Sequence, residues 1–142
     1  MNHRSRFLGI LYLHLDRISP HGLVLNAFGT SEGWTSQDQY PRVLADVNGD
    51  GKADIVGFGY GGVSVALGRG DGTFDQPTFD FNSFGFAAGG WTSDNTYPRG
   101  ASDVTGDHKA DLVGFGNGGV YVATSTDFST AAVSAALKNQ FT

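Results

Sequence analysis

Residues 33–66 read GWTSQDQYPRVLADVNGDGKADIVGFGYGGVSVA, and residues 90–123 read GWTSDNTYPRGASDVTGDHKADLVGFGNGGVYVA. The two stretches lie 57 residues apart, and 23 of their 34 aligned positions are identical. A period of roughly 20–50 residues is typical of solenoids and propellers, in which each repeat leaves a hydrophobic face that a neighbouring repeat covers. The sequence therefore predicts a repeat protein.

Apolar residues alternate with small or polar residues inside each repeat, as in Val63-Ser64-Val65. This period of two predicts strands rather than helices, and the more continuously apolar stretches predict inner strands covered on both faces. A two-residue hairpin with positive φ is predicted at Gly61-Gly62 and again at Gly118-Gly119. The predicted strands of the first repeat are Val43–Asp46, Ala53–Gly59, Gly62–Leu67 and Thr78–Phe84, and those of the second are Gly100–Asp103, Ala110–Gly116, Gly119–Thr124 and Ala135–Phe141.

Four strands per repeat predict an all-β fold, a β-propeller segment of about two and a half four-stranded blades. Residues 33–89 form one predicted blade and residues 90–142 a second. Within these blades, Phe58 and Phe115 are expected in the core.

Residues 1–32 are predicted to be a degenerate half-blade, because Leu11–Leu15 alternates as Val63–Leu67 does. The rival interpretation is a signal peptide, with basic residues before the apolar run Phe7–Leu15. His14 interrupts that run, and secretion is left open, although an extracellular or cell-surface location is slightly favoured.

The chain ends at Asn139-Gln140-Phe141-Thr142, which repeats the opening Asn82-Ser83-Phe84. This favours a piece of a longer product. The alternative is that several copies associate to close a ring, although three copies would carry about half a blade more than seven.

Each repeat contains an acidic loop with oxygen-bearing side chains on alternate residues and Gly or His between them. Calcium takes six to eight oxygen ligands, and such a spacing lets a short loop supply several of them. The first loop offers Asp46, Asn48, Asp50 and Asp54, with the Lys52 carbonyl as the expected backbone ligand. The second offers Asp103, Thr105, Asp107, Lys109 and Asp111 in the same places.

The second loop is expected to bind calcium more weakly than the first. Thr105 replaces Asn48 and is a poorer oxygen ligand. His108 replaces Gly51, and histidine adopts left-handed backbone angles less easily than glycine does. The alternative for both loops is an Asx turn that is held by its own hydrogen bonds and binds no metal ion.

Bulk composition excludes several other functions. The formal net charge is −5, with 14 acidic and 9 basic residues, which argues against nucleic-acid binding. There is no cysteine and no apolar run long enough for a membrane span. No nucleophile–base set or phosphate loop is present, so the sequence predicts a protein that is not an enzyme.

The repeats resemble the FG-GAP or VCBS propeller family in the acidic loop, in Phe58-Gly59 and Phe115-Gly116, and in the turn Leu67–Phe74. The pattern Gly-Trp, Tyr-Pro-Arg, Ala-Asp-(Ile/Leu)-Val-Gly-Phe-Gly is similar to the fungal lectin family of Psathyrella velutina. That resemblance covers about residues 23–142. It implies a seven-bladed propeller with calcium in the blade loops and N-acetylglucosamine-type sugars in pockets between blades.

Repeated aromatic and polar residues are the candidate sugar ligands. A sugar presents an apolar C–H face and hydroxyl edges, which suit an aromatic platform with a few fixed donors. The candidates are Trp34, Tyr40, Arg42, Tyr60, Trp91, Tyr97, Arg99 and Asn117. The sequence leaves two functions open: a calcium-stabilised sugar-binding module, and a non-catalytic adhesion or spacer module of the same fold.

Overall fold

A computed structural model describes residues 22–127 of the 142-residue chain. The predicted half-blade strand Leu11–Leu15, the rival signal peptide and the predicted strand Ala135–Phe141 lie outside the described residues. Within them, the only helical element with defined bounds is a short 3-10 turn at Thr30–Glu32, and no helix is long and apolar enough to cross a membrane.

The first repeat folds into one four-stranded antiparallel sheet in the order β1-β2-β3-β4. Its register pairs Val43 with Val56 and Val56 with Val65, so that alternate side chains of three strands share a face. A register shift between Val63 and Ser64 loosens the pairing with the last strand. The strands are β1 Arg42–Ala45, β2 Asp54–Phe58, β3 Val63–Ala66 and β4 Thr78–Phe81.

The second repeat forms a three-stranded antiparallel sheet in the described residues, in the order β5-β6-β7. Its strands are β5 Arg99–Ser102, β6 Asp111–Gly116 and β7 Gly119–Ala123. The register repeats that of the first sheet, with Val113 paired to both Gly100 and Val122. Two antiparallel sheets and almost no helix confirm the predicted all-β blades.

The hairpin prediction was correct in place and wrong in detail. Gly116 pairs with Gly119, so the two central residues are Asn117-Gly118, and in the first repeat they are Tyr60-Gly61. Positive φ occurs at the following glycine, 140° at Gly62 and 137° at Gly119. At Gly62 a Cβ atom would lie 2.3 Å from the Phe81 carbonyl oxygen, so close backbone approach also requires glycine there.

The two sheets share one hydrophobic core. Phe58, Val63 and Val65 of the first sheet cluster with Trp91 and Leu112 of the second repeat. Burial of this shared face is the main source of stability that the described residues offer.

The prediction that Phe115 is a core residue was wrong. Phe58 is fully buried beneath the second repeat, whereas Phe115 is 51% exposed. Consequently β6 is not covered on both faces by the part of the chain that the structure describes, because no described segment packs against its second face as the second repeat packs against the first sheet.

Candidate functional site

The first acidic loop is organised around the carboxylate of Asp46, which follows β1. Its Oδ1 accepts a hydrogen bond from the Gly49 N–H at 2.8 Å, and its Oδ2 accepts one from the Gly51 N–H at 2.8 Å. Asp50 Oδ1 accepts the Lys52 N–H at 2.9 Å, and the Asp50 N–H lies 3.3 Å from Asn48 Oδ1. The loop therefore curls so that its carboxylates converge on one side.

The second loop repeats this arrangement. Asp103 accepts hydrogen bonds from the N–H groups of Gly106 at 2.7 Å and His108 at 2.9 Å. Asp107 Oδ1 accepts the Lys109 N–H at 3.0 Å. His108 adopts φ of 69° where Gly51 has 80°, so the loop keeps its shape by placing histidine in the left-handed region.

The last aspartate of each loop is buried at the start of an inner strand and ties the loop to the sheet. Asp54 accepts the N–H groups of Val47 and Gly68, each at 2.8 Å. Asp111 likewise accepts the N–H groups of Val104 and Ser125, each at 2.8 Å. These four bonds explain how a carboxylate is tolerated in the interior.

Carboxylate oxygens of Asp103, Asp107 and Asp111 all lie within 4.8 Å of one another, a spacing that suits a metal ion. The Thr105 hydroxyl lies between two of them, 3.3 Å from both Asp103 Oδ1 and Asp111 Oδ2. Across residues 22–127 no equally tight acidic group occurs at the first loop. The expectation that the first loop binds calcium better stays a prediction.

Local hydrogen bonds and burial shift the pKa values of these acids in opposite directions. For Asp103 desolvation acts to raise the pKa, but N–H donors led by Gly106 and His108 hold it below its usual range. The Lys109 N–H likewise lowers the pKa of Asp107. Burial raises the pKa of Asp54, against the bonds from Gly68 and Val47.

The two loops are neighbours in space. The Ala110 N–H donates to the Asp46 carbonyl at 2.7 Å, and a cavity of about 500 Å³ between the loops includes Asp46, Asp103 and His108 in its wall. A backbone hydrogen bond therefore links the end of the second loop to the start of the first.

A second cavity, of about 340 Å³, surrounds Trp91 in the second repeat. Trp91 lies 6.2 Å from Tyr97 and 6.0 Å from Tyr121 between ring centroids, both in edge-on geometry. Its ring packs over the glycine-rich strand β6, where a Cβ atom at Gly114 would come within 2.6 Å of the indole. The remaining lining residues are Ser83, Phe84, Gly89, Gly90, Gly116 and Asn117.

Several polar side-chain groups of this cavity lack partners among the described residues. The hydroxyls of Ser83, Tyr97 and Tyr121, the Asn117 amide and the Trp91 indole N–H make no hydrogen bond to any residue between 22 and 127. Hydrogen-bond donors and acceptors therefore surround the Trp91 ring without forming hydrogen bonds to one another. We call this set the Trp91 pocket.

The corresponding place in the first repeat is filled differently. Trp34 packs between Phe28 and Tyr40, at centroid distances of 5.1 and 6.1 Å, much as Trp91 packs between Phe84 and Tyr97, so the difference lies at the hairpin tip. Tyr60 stacks on Phe86 at 5.6 Å and 15°, and Tyr40 lies 6.2 Å from the same ring. Phe86, from the segment that leads into the second repeat, thus joins the aromatic residues that the sequence had suggested for sugar binding.

The two arginines lie outside the Trp91 pocket. Arg42 donates to the Phe28 carbonyl at 2.6 Å and to Gln37 Oε1 at 3.2 Å. Arg99 is buried between the sheets and donates to the carbonyls of Phe84 at 3.1 Å and Gln39 at 3.4 Å. Desolvation lowers the pKa of Arg99. Both arginines therefore connect segments that are distant in sequence, through hydrogen bonds to backbone carbonyls.

Tyr121 was missed by sequence reasoning. It replaces Ser64 of the first repeat, just as Asn117 replaces Tyr60, so the tyrosine moves from the hairpin tip into the adjacent strand. The sequence signal that could have identified Tyr121 was this pair of substitutions at two positions of otherwise similar repeats.

Comparison with known proteins gives the chain a family context. Residues 46–114 match the family model of FG-GAP-like repeats. The predicted FG-GAP-type repeat is confirmed. No curated protein matches the chain.

The chain is similar to a solved structure of an Agrocybe aegerita lectin, with 42% sequence identity and a TM-score of 0.70. That structure is described as the basis of specific recognition of non-reducing terminal N-acetylglucosamine. The match covers 75% of this chain and 26% of the lectin chain, so the chain spans about a quarter of that lectin. The predicted relationship to fungal lectin propellers is confirmed. Both comparisons indicate a non-catalytic binding module.

Proposed function

We propose that this chain is a lectin-like carbohydrate-binding module that holds a terminal N-acetylglucosamine-type sugar in the Trp91 pocket. The observation that carries the proposal is the set of hydroxyl, amide and indole groups around an aromatic ring that have no partner in residues 22–127. The indole and tyrosine rings suit the apolar face of a pyranose, and the free polar groups suit its hydroxyls and acetamido group.

The size of the pocket supports a small ligand. A cavity of about 340 Å³ lies at the lower end of the usual range for small-molecule sites, about 300–1,000 Å³. The similarity to a lectin that recognises non-reducing terminal N-acetylglucosamine favours this sugar over others of similar size. One such site buries little apolar area, so binding is expected in the millimolar range, with useful strength from repeated sites.

Calcium is proposed as the structural ion of the acidic loops. The carboxylates of Asp103, Asp107 and Asp111 fit a hard cation because they are oxygen ligands held within 4.8 Å of one another. In the first loop Asp46, Asn48, Asp50 and Asp54 are the corresponding residues, with the Lys52 and Lys109 carbonyls as backbone ligands. A bound ion would neutralise the clustered charge that the loops otherwise hold together by N–H and hydroxyl donors.

The test is a titration of the calcium-loaded chain with N-acetylglucosamine and, in parallel, with glucose, followed by calorimetry or NMR shifts. We expect saturable millimolar binding of N-acetylglucosamine and weaker binding of glucose, which lacks the acetamido group. Asn117→Ala and Tyr121→Ala are each expected to weaken binding several-fold. Gln76→Ala serves as the matched control because it removes an exposed amide outside the pocket.

A folded, calcium-loaded chain that binds neither sugar would contradict the proposal. It would favour the alternative of an adhesion or spacer module. Equal loss of binding in Gln76→Ala and Asn117→Ala would contradict the location of the site.

A further inference from the structure

Four apolar residues are buried in the first repeat while their counterparts in the second are exposed. Phe58, Val63, Val65 and Val47 are at most 3% exposed, whereas the residues 57 positions later are 49–61% exposed. The exposed set, which we call the open face, is Phe115, Val120, Val122 and Val104. The register is the same in both sheets, so only the neighbour differs.

The structure defines what covers such a face. The buried set packs against Trp91 and Leu112 on the opposite side of the second repeat, and against the ring of Phe84 just before that repeat, which lies 6.4 Å from Phe58. Arg99 adds a polar contact, with its guanidinium 5.8 Å from the Phe58 ring centroid and its Nη2 3.4 Å from the Gln39 carbonyl.

The first repeat carries the same covering surface on its own outer side. Trp34 and Phe28 lie over Gly57 just as Trp91 and Phe84 lie over Gly114. Arg42 bonds the Phe28 carbonyl as Arg99 bonds that of Phe84. We call this surface the covering face.

Leu44 shows that the covering face is unoccupied by any described neighbour. It lies on this face and is 66% exposed, whereas its counterpart Ala101 packs against the core. The Ala110 N–H bonds the Asp46 carbonyl, whereas its counterpart, the Ala53 N–H, has no partner among residues 22–127. The chain therefore presents both halves of one interface at opposite ends.

We propose that the open face of one copy of this chain docks on the covering face of a second copy, reproducing the contact between its two repeats. Arg42 of one copy then lies over the Phe115 ring of the next. The interface joins different surfaces head to tail, so it closes only as a ring. Two sheets per chain in residues 22–127 and the usual four to eight propeller blades give two to four copies.

The test is light scattering coupled to chromatography on the full chain. The expected mass is two to four times the 15.0 kDa of one chain. Phe115→Glu and, independently, Val120→Glu are expected to reduce it to that of one chain, because each places a charge in an apolar interface. Both positions are exposed, so folding is preserved, which circular dichroism checks.

A mixing experiment separates this head-to-tail contact from other modes. Leu44→Glu breaks the covering face and Phe115→Glu the open face, so each variant alone is expected to be a monomer. Their mixture retains one intact interface and is expected to give a dimer. Leu23→Glu is the control, since Leu23 is 84% exposed and is not one of the residues that define the open face or the covering face.

A wild-type chain that runs as a sharp 15.0 kDa monomer would overturn the proposal. So would an oligomer that survives both Phe115→Glu and Val120→Glu, or a mixture that stays monomeric.

Discussion

Phe58 and Phe115 hold the same position in two repeats of one chain, yet one ring is fully buried and the other is half-exposed. Phe58 is enclosed by the Arg99 guanidinium of the following repeat and by Phe84, which precedes that repeat. Whether a residue is buried in this protein therefore depends on the neighbouring repeat, and not only on its position within its own repeat.

Replacing each phenylalanine by alanine should give very different losses of stability. Phe58→Ala is expected to lower the free energy of unfolding by about 3–5 kcal/mol, because it leaves a cavity in the shared core. Phe115→Ala is expected to cost less than about 1 kcal/mol in dilute protein, because the ring is already half in water. Urea denaturation at low protein concentration measures both, and equal losses would contradict the proposed core.

Glycine at position 57 is required by the aromatic residues above it. A Cβ atom there would come within 2.7 Å of both Trp34 and Phe28. Gly57→Ala is expected to destabilise the fold by about 1–3 kcal/mol through overpacking. Gly100→Ala is the control, since a Cβ atom at this strand position meets nothing within 4 Å. Thermal unfolding that cannot distinguish the two variants would argue against the Trp34 packing.

Calcium should raise the midpoint of thermal unfolding, because only the folded loops gather the oxygen ligands. Asp50→Ala is expected to remove more of this gain than Asp107→Ala, since Asn48 is a better oxygen donor than Thr105. Differential scanning calorimetry in calcium and in chelator measures the gain. Identical midpoints in the two buffers would exclude calcium as a structural ion.

Asp80 should make the chain less stable as the pH rises. Burial raises its pKa to about 6, only partly offset by a hydrogen bond from Thr78, and its Oδ2 has no partner among the described residues. Because the folded pKa exceeds the unfolded value of 3.8, this group's contribution is complete below about pH 4 and is lost as the pH rises through about 6.

Asp80→Asn is therefore expected to raise the free energy of unfolding at pH 7, by at most about 3 kcal/mol. The gain over wild type should shrink between pH 7 and pH 4. Asp75→Asn is the control, since its ion pair with Arg69 is exposed and contributes little. A pH-independent difference between Asp80→Asn and wild type would show that Asp80 does not titrate in this range.

The strands and loops could be predicted from the sequence because their signals are local. Alternating valines determine β3 and β7, and the left-handed φ at Gly51 and His108 follows from their place in the acidic loop. What could not be predicted depends on neighbouring repeats. The exposure of Phe115 and the burial of Arg99 between sheets are examples.

The lining of the Trp91 pocket was predictable in part for a related reason. Trp91, Tyr97 and Asn117 were found because repetition or local variation marked them, and they do line one pocket. Tyr121 was missed because the other repeat has serine there, so the repeated pattern gave no reason to select it. The distance between Trp91 and Tyr121 is set by strand pairing, which places the tyrosine opposite Gly114.

The indole N–H resonances of the two tryptophans test sugar binding in the Trp91 pocket most directly. The chain contains only Trp34 and Trp91, so Trp34→Phe assigns both signals in a ¹⁵N-labelled, calcium-loaded sample. We predict that N-acetylglucosamine shifts the Trp91 signal saturably in the millimolar range, and that Asn117→Ala weakens this response several-fold. A Trp91 signal that does not move at saturating sugar, in a folded and calcium-loaded sample, would contradict the account.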